Sequence, residues 1–125
     1  MKPLKDLATK YKLSLILLFG SHVYGDVNTE SDMDIAIYGK KVLSEADKID
    51  LTYEFSKIFH KDKIDVVDIK TSPPLLKKEI FKDYKILYQR NRTLVRQLEL
   101  VSLFEFRESE ILYQIRHERL QEFIR

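Results

Sequence analysis

Three acidic residues carry the most chemical information in this chain. Asp32 and Asp34 are two positions apart at the start of an apolar run, Asp34-Ile35-Ala36-Ile37-Tyr38. In a strand that spacing points both side chains to one face. Two carboxylates so placed repel one another unless a cation lies between them, and a hard divalent ion such as Mg²⁺ takes oxygen ligands of this kind together with substrate phosphates. Upstream, the apolar run Ser14–Phe19 ends abruptly at Gly20-Ser21. A glycine turn at the end of a buried strand lets the backbone approach a ligand, and its N–H groups suit phosphate oxygens. Downstream, Asp65 interrupts the β-branched segment Ile64–Val67. A carboxylate inside a core strand is costly unless paired, neutralised or bound to metal, so Asp65 is the expected third acid. Asp68, three residues on, faces the opposite way by strand parity.

The elements needed to position these residues are legible. Leu4–Tyr11 reads as a short helix with Pro3 in its first turn. Ser14–Phe19 is continuously apolar, as in a strand covered on both faces. The polar stretch from His22 to Ser31 reads as a turn or a short helix and loop. Ser44-Glu45-Ala46-Asp47 resembles a capping box, and Leu51, Phe55, Ile58 and Phe59 then form one apolar helical face. Ile64–Ile69 is a third strand, Thr71-Ser72-Pro73-Pro74 opens another helix, and Lys85–Tyr88 is a fourth strand. From Arg92 onward there is no Gly or Pro and helix formers dominate, with the polar stretch Arg107–Glu110 expected to split the segment into two helices.

Composition sets the class. The chain has 125 residues with 44% hydrophobic and 34% charged, which fits one globular domain with a sizeable core. The expected division is a catalytic core over 1–90 and a helical C-terminal segment over 91–125. With no Cys, disulfides and thiolate metal sites are excluded, and a cytoplasmic home is expected. No apolar run reaches the length of a membrane span. A net charge of +2 gives no strong nucleic-acid signal. All fifteen Lys lie at or before Lys85 and all seven Arg at or after Arg90. Arg is enriched at interfaces, so the C-terminal segment is read either as a partner surface or as a helix packed on the chain's own core.

The pattern Gly20-Ser21-x10-Asp32-x-Asp34, with Ile64-Asp65-Val66-Val67 on a later strand, resembles the nucleotidyltransferase superfamily related to DNA polymerase β. Ser72–Leu76 and Ile86–Arg90 narrow the likeness to the minimal nucleotidyltransferases, the MNT antitoxins encoded beside HEPN-domain toxins. The resemblance implies a small mixed α/β sheet of about four strands flanked by helices. It also implies transfer of AMP from ATP to a tyrosine of a HEPN ribonuclease toxin, with possible hetero-oligomer formation. By that resemblance Gly20 and Ser21 hold the triphosphate, Asp32 and Asp34 bind two Mg²⁺ ions, and Asp65 shares one metal and helps activate the attacking hydroxyl. Tyr24 stands where the family commonly has Arg, a departure that favours an antitoxin acting by binding alone. Nucleotide transfer to a small molecule such as an aminoglycoside is the other alternative.

Overall fold

The computed structural model describes residues 2–20 and 32–124. Helix α1 (Lys2–Tyr11) leads into strand β1 (Leu13–Phe19). Strand β2 (Met33–Gly39) is followed by helix α2 (Glu45–Phe59) and strand β3 (Ile64–Asp68). A single 3₁₀ turn, Ile69–Thr71, precedes helix α3 (Pro74–Lys82), strand β4 (Tyr84–Gln89) and a long helix α4 (Leu94–Ile124). The four expected strands and the first three helices are present, with boundaries moved by a few residues. The polar stretch from 22 to 31 lies outside the described residues.

The four strands form one mixed sheet in the order β3-β2-β1-β4. β1 pairs antiparallel with both β2 and β4, while β2 and β3 run parallel, joined by α2 as the crossover. Strand parity divides the core into two layers. Ile16, Leu18, Met33, Ile35 and Ile37 face α1 and α2, where Leu51 and Phe55 of α2 are fully buried. Leu15, Leu17, Phe19 and Ala36 face the other way, against Ile80 and Phe81 of α3 and Val95 of α4. β1 is therefore covered on both faces, as its unbroken apolar run requires. Among the described residues no helix is long and apolar enough to cross a membrane.

The cap of α2 is the expected one: Ser44 Oγ accepts from Asp47 N–H at 3.1 Å. Two expectations are corrected. Residues Arg107–Glu110 do not split the C-terminal segment, because α4 runs unbroken from Leu94 to Ile124. Polarity alone does not break a helix, and Arg and Glu are good helix formers. Nor is β3 a buried core strand. It lies at the sheet edge, where Asp65 is exposed, and the buried acid is Asp68, at 1% exposure.

Asp68 has a structural task. Its carboxylate accepts from Leu43 N–H and Lys70 N–H, both at 3.0 Å, and its carbonyl accepts from Ser72 Oγ at 2.8 Å. It fastens the approach to α2 to the exit of β3. A buried, charge-accepting group of this kind typically contributes about 1.5–3 kcal/mol through hydrogen bonds, and leaving its donors unpaired costs more. Asp68→Ala is expected to lower unfolding stability by about 2–3 kcal/mol in a urea titration.

Candidate active site

β1 delivers Gly20 to one end of the sheet, and β2 begins at that same end with Asp32 just before it. Across the strands a single row of register partners runs Asp65, Asp34, Phe19, Tyr84, through the pairs Asp34↔Asp65, Phe19↔Asp34 and Phe19↔Tyr84. Asp34 shares parity with Ala36 and Asp65 with Val67, and both Ala36 and Val67 pack in the layer beneath α3 and α4. The acids thus stand on that face, with Asp32 two residues before Asp34 on the same side. Adjacent strands are about 4.8 Å apart, so Asp34 and Asp65 originate side by side. Asp68, in register with Ile37, belongs to the opposite face.

Gly20 fits closely against this cluster. Its φ is +78°, a conformation that L side chains rarely adopt, and a Cβ built there would lie 2.7 Å from Asp34 Oδ2. A side chain there would be strained by that φ and would push the Asp34 carboxylate aside. Ser21, His22 and Tyr24 lie outside the described residues, so the hydroxyl expected at the turn is not placed.

The donor set suits a hard divalent cation: carboxylate oxygens only, two of them from adjacent in-register positions, under a backbone turn with no side chain. Among the described residues no three His, Cys, Asp or Glu side chains stand close enough together to hold a metal ion. Asp32 and Asp65 are exposed.

The far end of the same row opens on a feature that the sequence did not single out. A groove of about 740 Å³ lies between α3, β4 and α4, floored by Phe81, Tyr84 and Phe106 and rimmed by Lys78, Lys82 and Arg96. It begins about two strand spacings, roughly 9.5 Å, from Asp34. Lys78 Nζ sits 4.2 Å from the centre of the Phe106 ring, and Tyr84 Oη donates to Glu99 Oε2 at 3.3 Å. Burial and then the adjacent Glu99 carboxylate raise the Tyr84 pKa above 10.0, with Arg96 partly opposing them. The phenol stays neutral at physiological pH. The groove's net charge is accordingly positive, since three cations face one carboxylate. The signal in the sequence was only Lys78 and Lys82 one helical turn apart, which is ordinary on a surface.

Comparison with known proteins bears on the fold. Residues 2–93 match the family model described as Polymerase beta, Nucleotidyltransferase. No curated protein matches the chain. Among solved structures, a chain of a toxin–antitoxin crystal structure with AMP-PNP superposes with a TM-score of 0.80 at 20% identity, covering 96% of this chain and 97% of that one. A chain of the complex between tri-AMPylated Shewanella oneidensis HEPN toxin and MNT antitoxin gives 0.73 at 19% identity, covering 96% and 94%. A spectinomycin adenyltransferase from Enterococcus faecialis, solved with ATP and spectinomycin, gives 0.52 at 12% identity, covering 78% of this chain and 57% of that one.

Two outcomes follow. Gly20→Ala forces both the φ and the Asp34 carboxylate to move, so it is expected to reduce turnover at least tenfold in a nucleotide-transfer assay while the chain still folds. Tyr84 has a folded pKa above its unfolded one, so its neutral form stabilises the fold below about pH 10, and that contribution is lost as pH rises through the folded value. Tyr84→Phe is expected to flatten the alkaline limb of the unfolding profile, measured by thermal melts at stepped pH.

Proposed function

The chain belongs to the Polymerase beta nucleotidyltransferase family, and we propose that it is a Mg²⁺-dependent adenylyltransferase that moves AMP from ATP to a tyrosine hydroxyl of a HEPN-type toxin, acting as its antitoxin in the cytoplasm. The observation that carries the reading is the in-register Asp34–Asp65 pair with Gly20 pressed against Asp34. The likeness to toxin–antitoxin structures over nearly the whole chain supports the choice of acceptor.

The residues divide the work as follows. Asp32 and Asp34, on one strand face, present oxygens to the metal-bound triphosphate. Gly20 keeps side-chain bulk out of the space over Asp34, and Ser21 is assigned to the phosphate tail. Asp65 stands beside Asp34 on the exposed edge strand, where it can accept the proton of an incoming hydroxyl. Divalent ions held by these carboxylates would neutralise charge as the hydroxyl displaces pyrophosphate in line at the α-phosphorus. Lys78, Lys82 and Arg96 rim a groove on the same sheet face and offer counter-charge to the polyphosphate or its leaving group.

The deciding experiment incubates the chain with labelled ATP, Mg²⁺ and the HEPN product of a neighbouring gene. Label on a toxin tyrosine, abolished by chelator and restored by Mg²⁺, is the expected result. Toxin silenced without label would mean neutralisation by binding alone, and label on an aminoglycoside instead would mean a small-molecule transferase. Asp32→Asn, Asp34→Asn and Asp65→Asn are each expected to lower transfer by two or more orders of magnitude. Asp68→Asn, on the opposite face, is expected to reduce stability while leaving transfer by the folded fraction within a few fold.

A further inference from the structure

Helix α4 changes character midway. Up to Phe106 it packs on the body: Val95 and Ser102 are buried, and Lys77 Nζ meets Glu105 Oε2 at 2.8 Å. Its early turns lie beside Lys82 and Tyr84, while Glu105, Leu112 and Tyr113 lie beside Pro74, the first residue of α3. α4 therefore runs antiparallel to α3 and leaves it behind. Every residue from Arg107 to Arg119 is exposed. The projecting part spans 107–124, about 27 Å at 1.5 Å per residue. A solvated helix of that length is only marginally stable in water.

The exposed surface is patterned. At 100° per residue, Phe104, Ile111 and Ile115 fall within about 40° of one another. They are 59%, 51% and 42% exposed and point away from the buried line of Val95 and Ser102. Arg107 and Glu118 flank this stripe on one side, Glu108 and Arg119 on the other. Each flank thus carries opposite charges eleven residues apart, with the order reversed between flanks. None of these four takes part in an ion pair within the chain among the described residues.

We infer that this stripe is covered by the same stripe of a second copy, in an antiparallel pair of α4 helices whose two-fold axis passes at the level of Tyr113. In an antiparallel pair the like flanks of the two helices meet. A two-fold axis at that level sets Ile111 against Ile115 of the other copy. It also brings Arg107 beside Glu118 on one flank and Glu108 beside Arg119 on the other, each reciprocally, so four opposite-charge contacts frame the apolar centre. The two bodies attach at opposite ends of the pair, because each packs on the first turns of its own α4. The interface is separate from the acidic row, so both active faces stay open, and the inference does not depend on the transfer chemistry.

The test is sedimentation of the full chain across a concentration series. A concentration-dependent dimer is expected. Ile111→Glu with Ile115→Glu places charge at exposed positions only, so the core melts as before and the protein sediments as a monomer. Arg107→Glu makes two of the contacts repulsive and is expected to weaken dimerisation about tenfold, given the modest strength of exposed ion pairs. Arg107→Glu combined with Glu118→Arg reverses both members and is expected to restore the affinity to within a few fold. A wild-type chain that is monomeric at every concentration overturns the inference. So does a dimer that survives both Ile substitutions, or a charge swap that fails to restore association. A chain that is monomeric alone but loses a toxin partner on Ile111→Glu also overturns it, and would assign the stripe to that partner.

Discussion

The candidate site depends on two carboxyl groups held side by side by backbone hydrogen bonds. Asp34 and Asp65 are register partners in a parallel strand pair, so neither can withdraw without breaking the ladder. A fold that places carboxylates in this way bears their mutual repulsion in the native state. The repulsion is tolerable because Asp65 is on the edge strand, in contact with water, where the effective dielectric is high. The edge position leaves Asp65 open to solvent.

The parallel pairing is in turn a consequence of α2. A crossover helix between β2 and β3 is what lets both strands start at the same end of the sheet. The crossover is secured at its beginning by Asp68, whose buried carboxylate holds the Leu43 N–H. One aspartate of β3 thus stands in the candidate site, and the other, three residues later and on the opposite face, holds the fold together. The two differ in burial and in hydrogen bonding, not in residue type.

Much of this was readable in the sequence because strand parity is a strict rule. The spacing of Asp32 and Asp34, the opposed facing of Asp65 and Asp68, and the Ser44 cap are local properties, and local geometry decided them. What was misjudged depends on tertiary placement. Asp65 reads as a buried acid because its neighbours are β-branched, but Ile64, Val66 and Val67 are only half-buried and the strand order puts β3 at the margin. The basic groove was not seen because its residues come from α3, β4 and α4, and nothing in the chain marks Lys78, Lys82 and Arg96 as neighbours. The supposed break at Arg107–Glu110 confused a change of environment with a change of conformation.

That change of environment is the more instructive error. A helix that packs against one sheet needs one apolar stripe, and α4 has a second stripe on its opposite side. The polar stretch at Arg107–Glu110 marks the level where the body ends and where the helix no longer has a core to bury its inner face. Beyond it, Ile111, Leu112 and Ile115 remain apolar although about half of each side chain is exposed. Helix propensity explains why the segment keeps its conformation, but it does not explain three β-branched or leucine side chains in solvent. Flanked by ordered charges along one helix face, such residues call for a surface supplied by another molecule. The charge order on either side of them narrows what that molecule can be.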